Sequence, residues 1–544
     1  LKPFLLNHSR AYRVAPPVGC SNPVHQEICT AMQTFALAVL SCLAWEGYGW
    51  RLQPSNHVHS SEQSLSHPRL SIREANSRNK FNSCRALARL LLLGKQAAAF
   101  AIASPQFNFS PNSFTGTDRI TRVDRAPRAM AGTEPPTVVV GGGIVGLMTA
   151  YYLTQKGRPV TIVERCAIAC HSSGKAGGFL TGGDSGWHEP NVAQLANHSF
   201  ALHQELADEL GADKIGYRKV KCVGPLPPEA SALPSRPEWL SEDFGEALGN
   251  QEGLAQVTPY KLMDELLAKV TKQGADVVIA KAVGVKMKKG TVSALKVERD
   301  GTQSSIPCSA LVLAMGPWAG DAADWFPGSV MPRRTVSYRY TSVIWDDTRV
   351  GEDATMVFVE GNNSVEIYAR SNEAYANGCP TYTPLPDDPL EIKPPQEDID
   401  SIVDEAASAA PRLKDAKILR TTACFLPTSE DLEPVIDHVP GTKNVVISCA
   451  GGCWGILNGP AMGQAAADLV MGAAPAVNLT SFNCMRFDLS QWETVLEELG
   501  LPTRLALLMK RNPQLLDIIV QNPEEGKEIA MGLMAKIEDG SINA

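Results

Sequence analysis

The sequence predicts an α/β fold: a parallel-sheet domain built from discontinuous segments, with an inserted α+β domain containing a mostly antiparallel sheet. Three observations carry this reading. Val138-Val139-Val140 runs into Gly141-Gly142-Gly143-Ile144-Val145-Gly146 and a helical stretch to about Gly157, and the apolar run Val160-Thr161-Ile162-Val163 then ends in Glu164. Far down the chain a second buried strand, Val445 to Cys449, again meets a glycine-rich turn and a helix. Between them, Arg333 to Glu366 alternates β-branched and aromatic residues with no helical period, as antiparallel strands do.

Gly141, Gly143 and Gly146 have the G-x-G-x-x-G spacing, and Glu164 follows Gly146 by 18 positions. Such glycines make a tight turn, let the backbone approach a pyrophosphate, and let helix and strand pack closely. The helix N-terminus offers N–H groups to phosphates, and an acid at this distance accepts from a ribose hydroxyl. The frame of two strands, a helix and an acid therefore predicts a Rossmann-like dinucleotide site.

Bulk properties narrow the class. The 544 residues are 44% hydrophobic and 20% charged, enough for two or more domains with a large core. A net charge of −8 argues against a general nucleic-acid or membrane-surface binder. Thirteen cysteines form no regular framework, and no C-x-x-C pair or Cys/His cluster has zinc spacing, so no metal is expected. Cys166 with Cys170 and Cys449 with Cys453 are each four apart, and the expectation is reduced thiols in an intracellular, cytoplasmic protein.

Residues 1–132 read differently. Those before Met130 hold 15 Lys or Arg against 6 Asp or Glu, a surplus of nine positive charges that leaves −17 for the remainder. Two apolar runs, Ala36 to Trp45 and Ala86 to Ala103, are too short or too interrupted by Arg89, Lys95 and Gln96 to span a bilayer. No transmembrane segment is expected. The stretch is either an Arg- and Ser-rich transit peptide, which would send the protein to a mitochondrion or plastid, or sequence upstream of a start at Met130. Either way it is expected to lie outside the fold, as a disordered leader.

After Glu164, His171-Ser172-Ser173-Gly174-Lys175-Ala176-Gly177-Gly178 is a small-residue loop with one cation, suited to lie against a flat or anionic ligand. Asn191 to Leu210 reads as a helix, Pro225 to Pro237 as a surface excursion, and Pro259 opens a helix ending near Gly274. Val277-Val278-Ile279 is a strand. Val283-Gly284-Val285 and Leu295-Lys296-Val297 form a small sheet with turns at Lys289-Gly290 and Asp300-Gly301. Ala310 to Trp318 reads as a buried strand stopping at Gly316, and Gln396 to Ala409 as a helix with acids in its first turn. In the last strand–turn–helix unit, Pro460 is expected near the first helical position.

Three motifs in order resemble the FAD-dependent oxidoreductases of the D-amino-acid oxidase, glycine oxidase and sarcosine oxidase superfamily. They are Ser173-Gly174-Lys175-Ala176-Gly177-Gly178, Leu313-Ala314-Met315-Gly316-Pro317-Trp318 and Cys453-Trp454-Gly455-Ile456-Leu457-Asn458-Gly459-Pro460, and they look closest to a eukaryotic branch of that superfamily. The resemblance covers residues 133–487. It implies an FAD-binding domain from 133–215, 255–330 and 420–487, and a substrate domain from 216–254 and 331–419. It implies FAD contacts at Gly141, Gly143, Ile144, Val145, Gly146, Glu164, Arg165, Ser173, Lys175, Ala176, Gly177, Val283, Gly316, Trp318, Cys424, Trp454, Gly455, Ile456 and Leu457. The chemistry it implies is oxidation of an amine or amino-acid-like small molecule by hydride transfer to flavin N5, with oxygen as acceptor. No general base is obligatory for this, and Lys175, Arg370 and Trp454 are the catalytic candidates.

Three positions depart from the family pattern. Leu426 stands where amino-acid oxidising members carry the arginine that pairs with the substrate carboxylate, leaving Arg370 or Arg420 as substitutes. Gly451 replaces a histidine. Cys424 falls near the cysteine that sarcosine oxidases bond to FAD, so a covalent thioether is a possibility beside non-covalent binding.

Residues 488–544 lie beyond the resemblance and read as a small helical extension, with Asn512-Pro513 and Asn522-Pro523 as N-cap and N1 pairs. This punctuation is similar to that of co-chaperone helical repeats, and a protein partner is possible there. Two other readings stand beside the amine oxidase: an NAD(P)-dependent dehydrogenase, and an FAD-stabilised adaptor acting through this tail.

Overall fold

Segments far apart in sequence lie side by side in one six-stranded sheet. Its order is Val435–His438, Val445–Cys449, Ala310–Leu313, Thr137–Val140, Val160–Glu164 and Asp276–Ile279. The last five are parallel, and Val435–His438 is an antiparallel edge. This computed structural model describes residues 134–227, 236–333, 337–370, 373–488 and position 532. The leader with its two apolar runs, the tail apart from position 532, and most of the excursion from Pro225 to Pro237 lie outside the described residues.

Strand alternation explains why these runs are apolar throughout. Val139, Ile162, Val312 and Val446 face helices Ile144–Gln155, Pro259–Lys272 and Gly455–Met471. Val138, Leu311, Leu313, Val445 and Ile447 face a three-stranded antiparallel sheet, Lys281–Lys288, Thr291–Arg299 and Thr302–Pro307, through Val292, Leu295, Val297 and Ile306. The tight turns of that sheet place Lys289, Gly290, Asp300 and Gly301 all at positive φ, between 50° and 77°, which matches the right-handed strand twist.

A second, seven-stranded sheet runs Ile418–Phe425, Ser337–Trp345, Glu373–Thr383, Glu366–Arg370, Thr355–Phe358, Lys221–Pro225 and Phe244–Ala247. All its pairs are antiparallel except Thr355–Phe358 with Lys221–Pro225. The expected boundary at residue 420 falls inside the strand Ile418–Phe425, which hydrogen-bonds to Ser337–Trp345 and so belongs to this sheet. On one face Val343, Trp345, Ile367, Ala369, Ala374 and Ala376 pack against the helix Gln396–Ala409 through Ile399, Ile402 and Ala406. The alternate residues Tyr340, Ser342, Phe358, Glu366, Tyr368, Tyr375 and Asn377 face a cavity.

The helix Gly455–Met471 starts earlier than expected, so Pro460 lies inside it rather than at its first position. Proline cannot supply the N–H that would bond to the Ile456 carbonyl four residues back. The buried His203 supplies the missing donor, Nε2 lying 2.9 Å from that oxygen. Gly459 and Gly463 let this helix press against Ile144–Gln155: a Cβ on either would lie 2.3–2.4 Å from Ile144 or Met148 side-chain atoms. Among the described residues no helix is long and apolar enough to cross a membrane.

Candidate FAD and substrate site

The first strand leaves the parallel sheet at Gly141, whose φ is +111° and where a Cβ would sit 2.1 Å from the Ala314 carbonyl oxygen. Only glycine fits a turn so placed. A Cβ on Gly146 would lie 1.9 Å from the Gly141 carbonyl oxygen, so helix and strand touch there through backbone alone. At the end of the neighbouring strand the Glu164 carboxylate accepts the N–H groups of Gly142 at 2.7 Å and Cys166 at 3.1 Å. Burial pushes the pKa of this acid up, and the amide donors oppose the shift.

The following loop is tied to both sheets. Ser173 Oγ accepts the Ile144 N–H at 3.0 Å, and Ser172 Oγ donates to the Phe425 carbonyl at 2.7 Å. His171 Nε2 accepts the Phe425 N–H at 3.1 Å, so the neutral ring carries its proton on Nδ1. Burial lowers the His171 pKa to about 3, and its Nδ1 is buried with no hydrogen-bond partner among the described residues. The ring stands edge-on to Trp318, with centroids 4.8 Å apart.

These elements enclose a cavity of about 510 Å³. One end is the glycine turn with Glu164, Arg165, Ala280 and Ala282. The other is the alternate face of the seven-stranded sheet, closed by Phe179, Trp187 and Trp454. The N-terminal residues Gly455 and Ile456 of the last helix also face it, so the positive end of that helix dipole borders the cavity.

The family model described as "FAD dependent oxidoreductase" matches residues 137–469. The chain belongs to this family. It is 28% identical over 384 residues to a "Putative oxidoreductase" of Schizosaccharomyces pombe, covering 63% of this chain and 96% of that one. It is also 24% identical over 373 residues to the glycine oxidase of Pseudomonas putida, covering 63% and 96%. Its fold superposes on glycine oxidase from Geobacillus kaustophilus with a TM-score of 0.55, at 21% identity, over 65% of this chain and 99% of that one.

The residues present fit FAD. The glycine turn leaves no room for a Cβ, Glu164 offers acceptor oxygens at the cavity wall, and the orphan His171 Nδ1–H is a buried donor beside the space a ligand would fill. Gly141, Gly143, Ile144, Val145, Glu164, Arg165, Ser173, Ala176, Gly177, Gly316, Trp318, Cys424, Trp454, Gly455 and Ile456 all line the cavity.

Other expected positions lie elsewhere. Gly146 does not line the cavity; it is the helix–strand contact described above. At Val283, where a backbone contact is expected, the neighbouring residues Ala280 and Ala282 line the cavity. Leu457 is fully buried in the helix-side core. Lys175 points away from the cavity and donates to the Ala423 carbonyl at 2.9 Å, with burial lowering its pKa. Arg370 is 3% exposed and spent on structure: it pairs with Glu373 at 2.9 Å and donates to the Ala176 and Gly177 carbonyls. Arg420 joins the same carboxylate at 3.3 Å. The expectation of reduced thiols also fails at one pair. The short turn after Glu164 brings the Cα atoms of Cys166 and Cys170 within 6.7 Å, and their sulfurs are bonded as a disulfide.

Sequence reasoning missed His171, Glu366, Tyr340, Tyr368, Trp187 and Phe358. The alternation along Tyr338–Ile344 and Glu366–Tyr368 was the available signal, since one face of a sheet covered by a helix must leave the other face for something else.

Proposed function

We propose that this protein oxidises the carbon–nitrogen bond of a small amine, with dioxygen as the final electron acceptor. FAD, when bound, supplies the two-electron acceptor for a hydride leaving the carbon that bears the amine. The imine so formed takes up water and releases a carbonyl compound and the amine fragment. Dioxygen with two electrons and two protons leaves as hydrogen peroxide.

The observation that carries this reading is the single cavity joining the nucleotide end, at Glu164 and the glycine turn, to the aromatic face of the seven-stranded sheet. A small molecule in the second part shares an enclosure with a ring system anchored from the first, and proximity of that kind lowers the barrier without a further catalyst. Phe179, Trp187, Phe358 and Trp454 pack ring to ring at centroid distances of 5.2–6.4 Å, which keeps water from that end. His171, held neutral, contributes a donor without a charge. The names of the glycine oxidases add the amine chemistry by likeness.

The test is anaerobic addition of a panel of amines and amino acids to the holoprotein, with flavin absorbance as readout. Bleaching by at least one compound, followed by peroxide on readmitting air, is expected. Bleaching without peroxide removes dioxygen as acceptor. A flavin that no compound bleaches removes the enzymatic reading and favours an FAD-bearing adaptor.

A further inference from the structure

Among the described residues, the substrate half of the cavity carries one carboxyl group and no Lys or Arg. Glu366 opens the strand Glu366–Arg370 on the cavity face, directly opposite Phe358 on one neighbouring strand and Asn377 on the other. Its carboxylate accepts hydrogen bonds from the side chains of Tyr368 and Asn377 and meets no Lys or Arg among the described residues. Burial raises its pKa, and the hydrogen bonds it accepts oppose the shift.

Of the described residues lining the cavity, Arg165 alone is cationic, and it sits at the nucleotide end over the Trp318 ring, 4.9 Å from its centroid. The cations that could have reached a substrate carboxylate are engaged elsewhere. Arg370 and Arg420 share Glu373, and Lys175 is bound to Ala423. Leu426, which lines the cavity, offers only hydrocarbon. A carboxylate-bearing substrate would therefore bury its negative charge beside another carboxyl group with no cationic partner among the described residues, which desolvation disfavours. An ammonium group meets the reverse: one acid, and the faces of Trp187, Phe358, Tyr340 and Tyr368 around it.

We propose that the substrate is a cationic amine without a carboxylate, held by the Glu366 carboxylate within an aromatic enclosure formed by Trp187, Phe358, Tyr340 and Tyr368. This rests on the amine-oxidising reading above and narrows it: the site selects against free amino acids.

Binding and turnover test it separately. Tetraethylammonium chloride, sodium benzoate and the neutral tert-butanol are titrated against the holoprotein, and perturbation of the flavin absorbance bands gives the affinities. Tetraethylammonium is expected to bind at least tenfold more tightly than either of the others. E366Q, which keeps the acceptor for Tyr368, is expected to retain FAD and to lose cation affinity by about 10- to 100-fold, the worth of an interaction with a buried charge. L426R is expected to gain benzoate binding. Benzoate binding wild type as tightly as the cation, or E366Q leaving cation affinity unchanged, overturns the proposal. Anaerobic reduction is then compared for paired compounds: phenylalanine with phenethylamine, and sarcosine with dimethylamine. Reduction by the amine and not by its amino acid supports the proposal. Reduction by the amino acid alone overturns it while leaving amine oxidation in place. Tight cation binding with no reduction by any compound supports the cation site and overturns the oxidase reading instead.

Discussion

Arg370→Met tests whether the buried arginine is structural or a substrate ligand. In the wild type its guanidinium neutralises Glu373, stacks 4.0 Å from the Tyr375 ring centroid, and donates to the carbonyls of Ala176 and Gly177, both of which line the FAD cavity. Methionine keeps most of the volume and removes the charge. Glu373, 7% exposed, is left with Arg420, which is 39% exposed and 3.3 Å away. Breaking a buried pair from one side costs about 3–5 kcal/mol, and the remaining arginine places this case at the lower end. With roughly 2 cal/mol/K of unfolding entropy per residue over a folded unit of about 350 residues, that is a fall in Tm of about 4 °C. The loss of two donors to Ala176 and Gly177 loosens the loop against FAD, so FAD affinity falls as well. Adding Glu373→Gln removes the stranded carboxylate and recovers part of the stability. Thermal unfolding of the holoprotein and flavin content after dialysis are the assays. An R370M protein with unchanged Tm and flavin content, but with a raised KM for its substrate, would refute the structural assignment.

Four further outcomes follow from the same geometry. His203→Phe leaves the Ile456 carbonyl without its donor and costs about 1–3 kcal/mol in chemical denaturation, while Pro460→Ala in that background restores an N–H and recovers most of the loss. His171 and His203 are held neutral with pKa values of about 3 and about 4, below the ordinary 6.5, so the unfolded chain binds more protons than the folded one between these limits. Their contribution to stability is therefore present above pH 6.5 and falls as pH drops toward 4, by up to about 2.7 kcal/mol per pH unit for the pair; a His203→Gln protein with an unchanged slope of Tm against pH would contradict this. Gly146→Ala drives a methyl into the Gly141 carbonyl and is expected to yield folded protein without flavin, measured as the ratio of flavin to protein absorbance. Cys424, whose thiol is pushed up to about 11, stays protonated, so acid precipitation should release all flavin colour to the supernatant; colour in the pellet that Cys424→Ser abolishes would establish a covalent link.

The cofactor half of the site was legible because its constraints are local. Gly141 to Gly146 is a backbone requirement written in consecutive residues, and Glu164 follows at a distance fixed by one helix and one strand. Leu457 misled for a related reason: position along the chain placed it correctly, but helix periodicity turned its side chain to the wrong side. The substrate half was illegible because its residues meet only through long-range pairing. Glu366 comes to lie beside Phe358 and Asn377 through two strand registers, and Trp187 reaches Phe358 from the segment just before the helix Pro190–Leu210. Arg370 shows the same limit from the other side. In the sequence it is a cation near aromatic residues, with Glu373 three positions on but no sign of which side of the sheet either side chain takes. Only the pairing of Glu366–Arg370 with Glu373–Thr383 sets Glu373 opposite it and consumes the charge. The register of neighbouring strands thus decides which charged side chains reach the cavity face and which are spent on one another, and no motif records that choice.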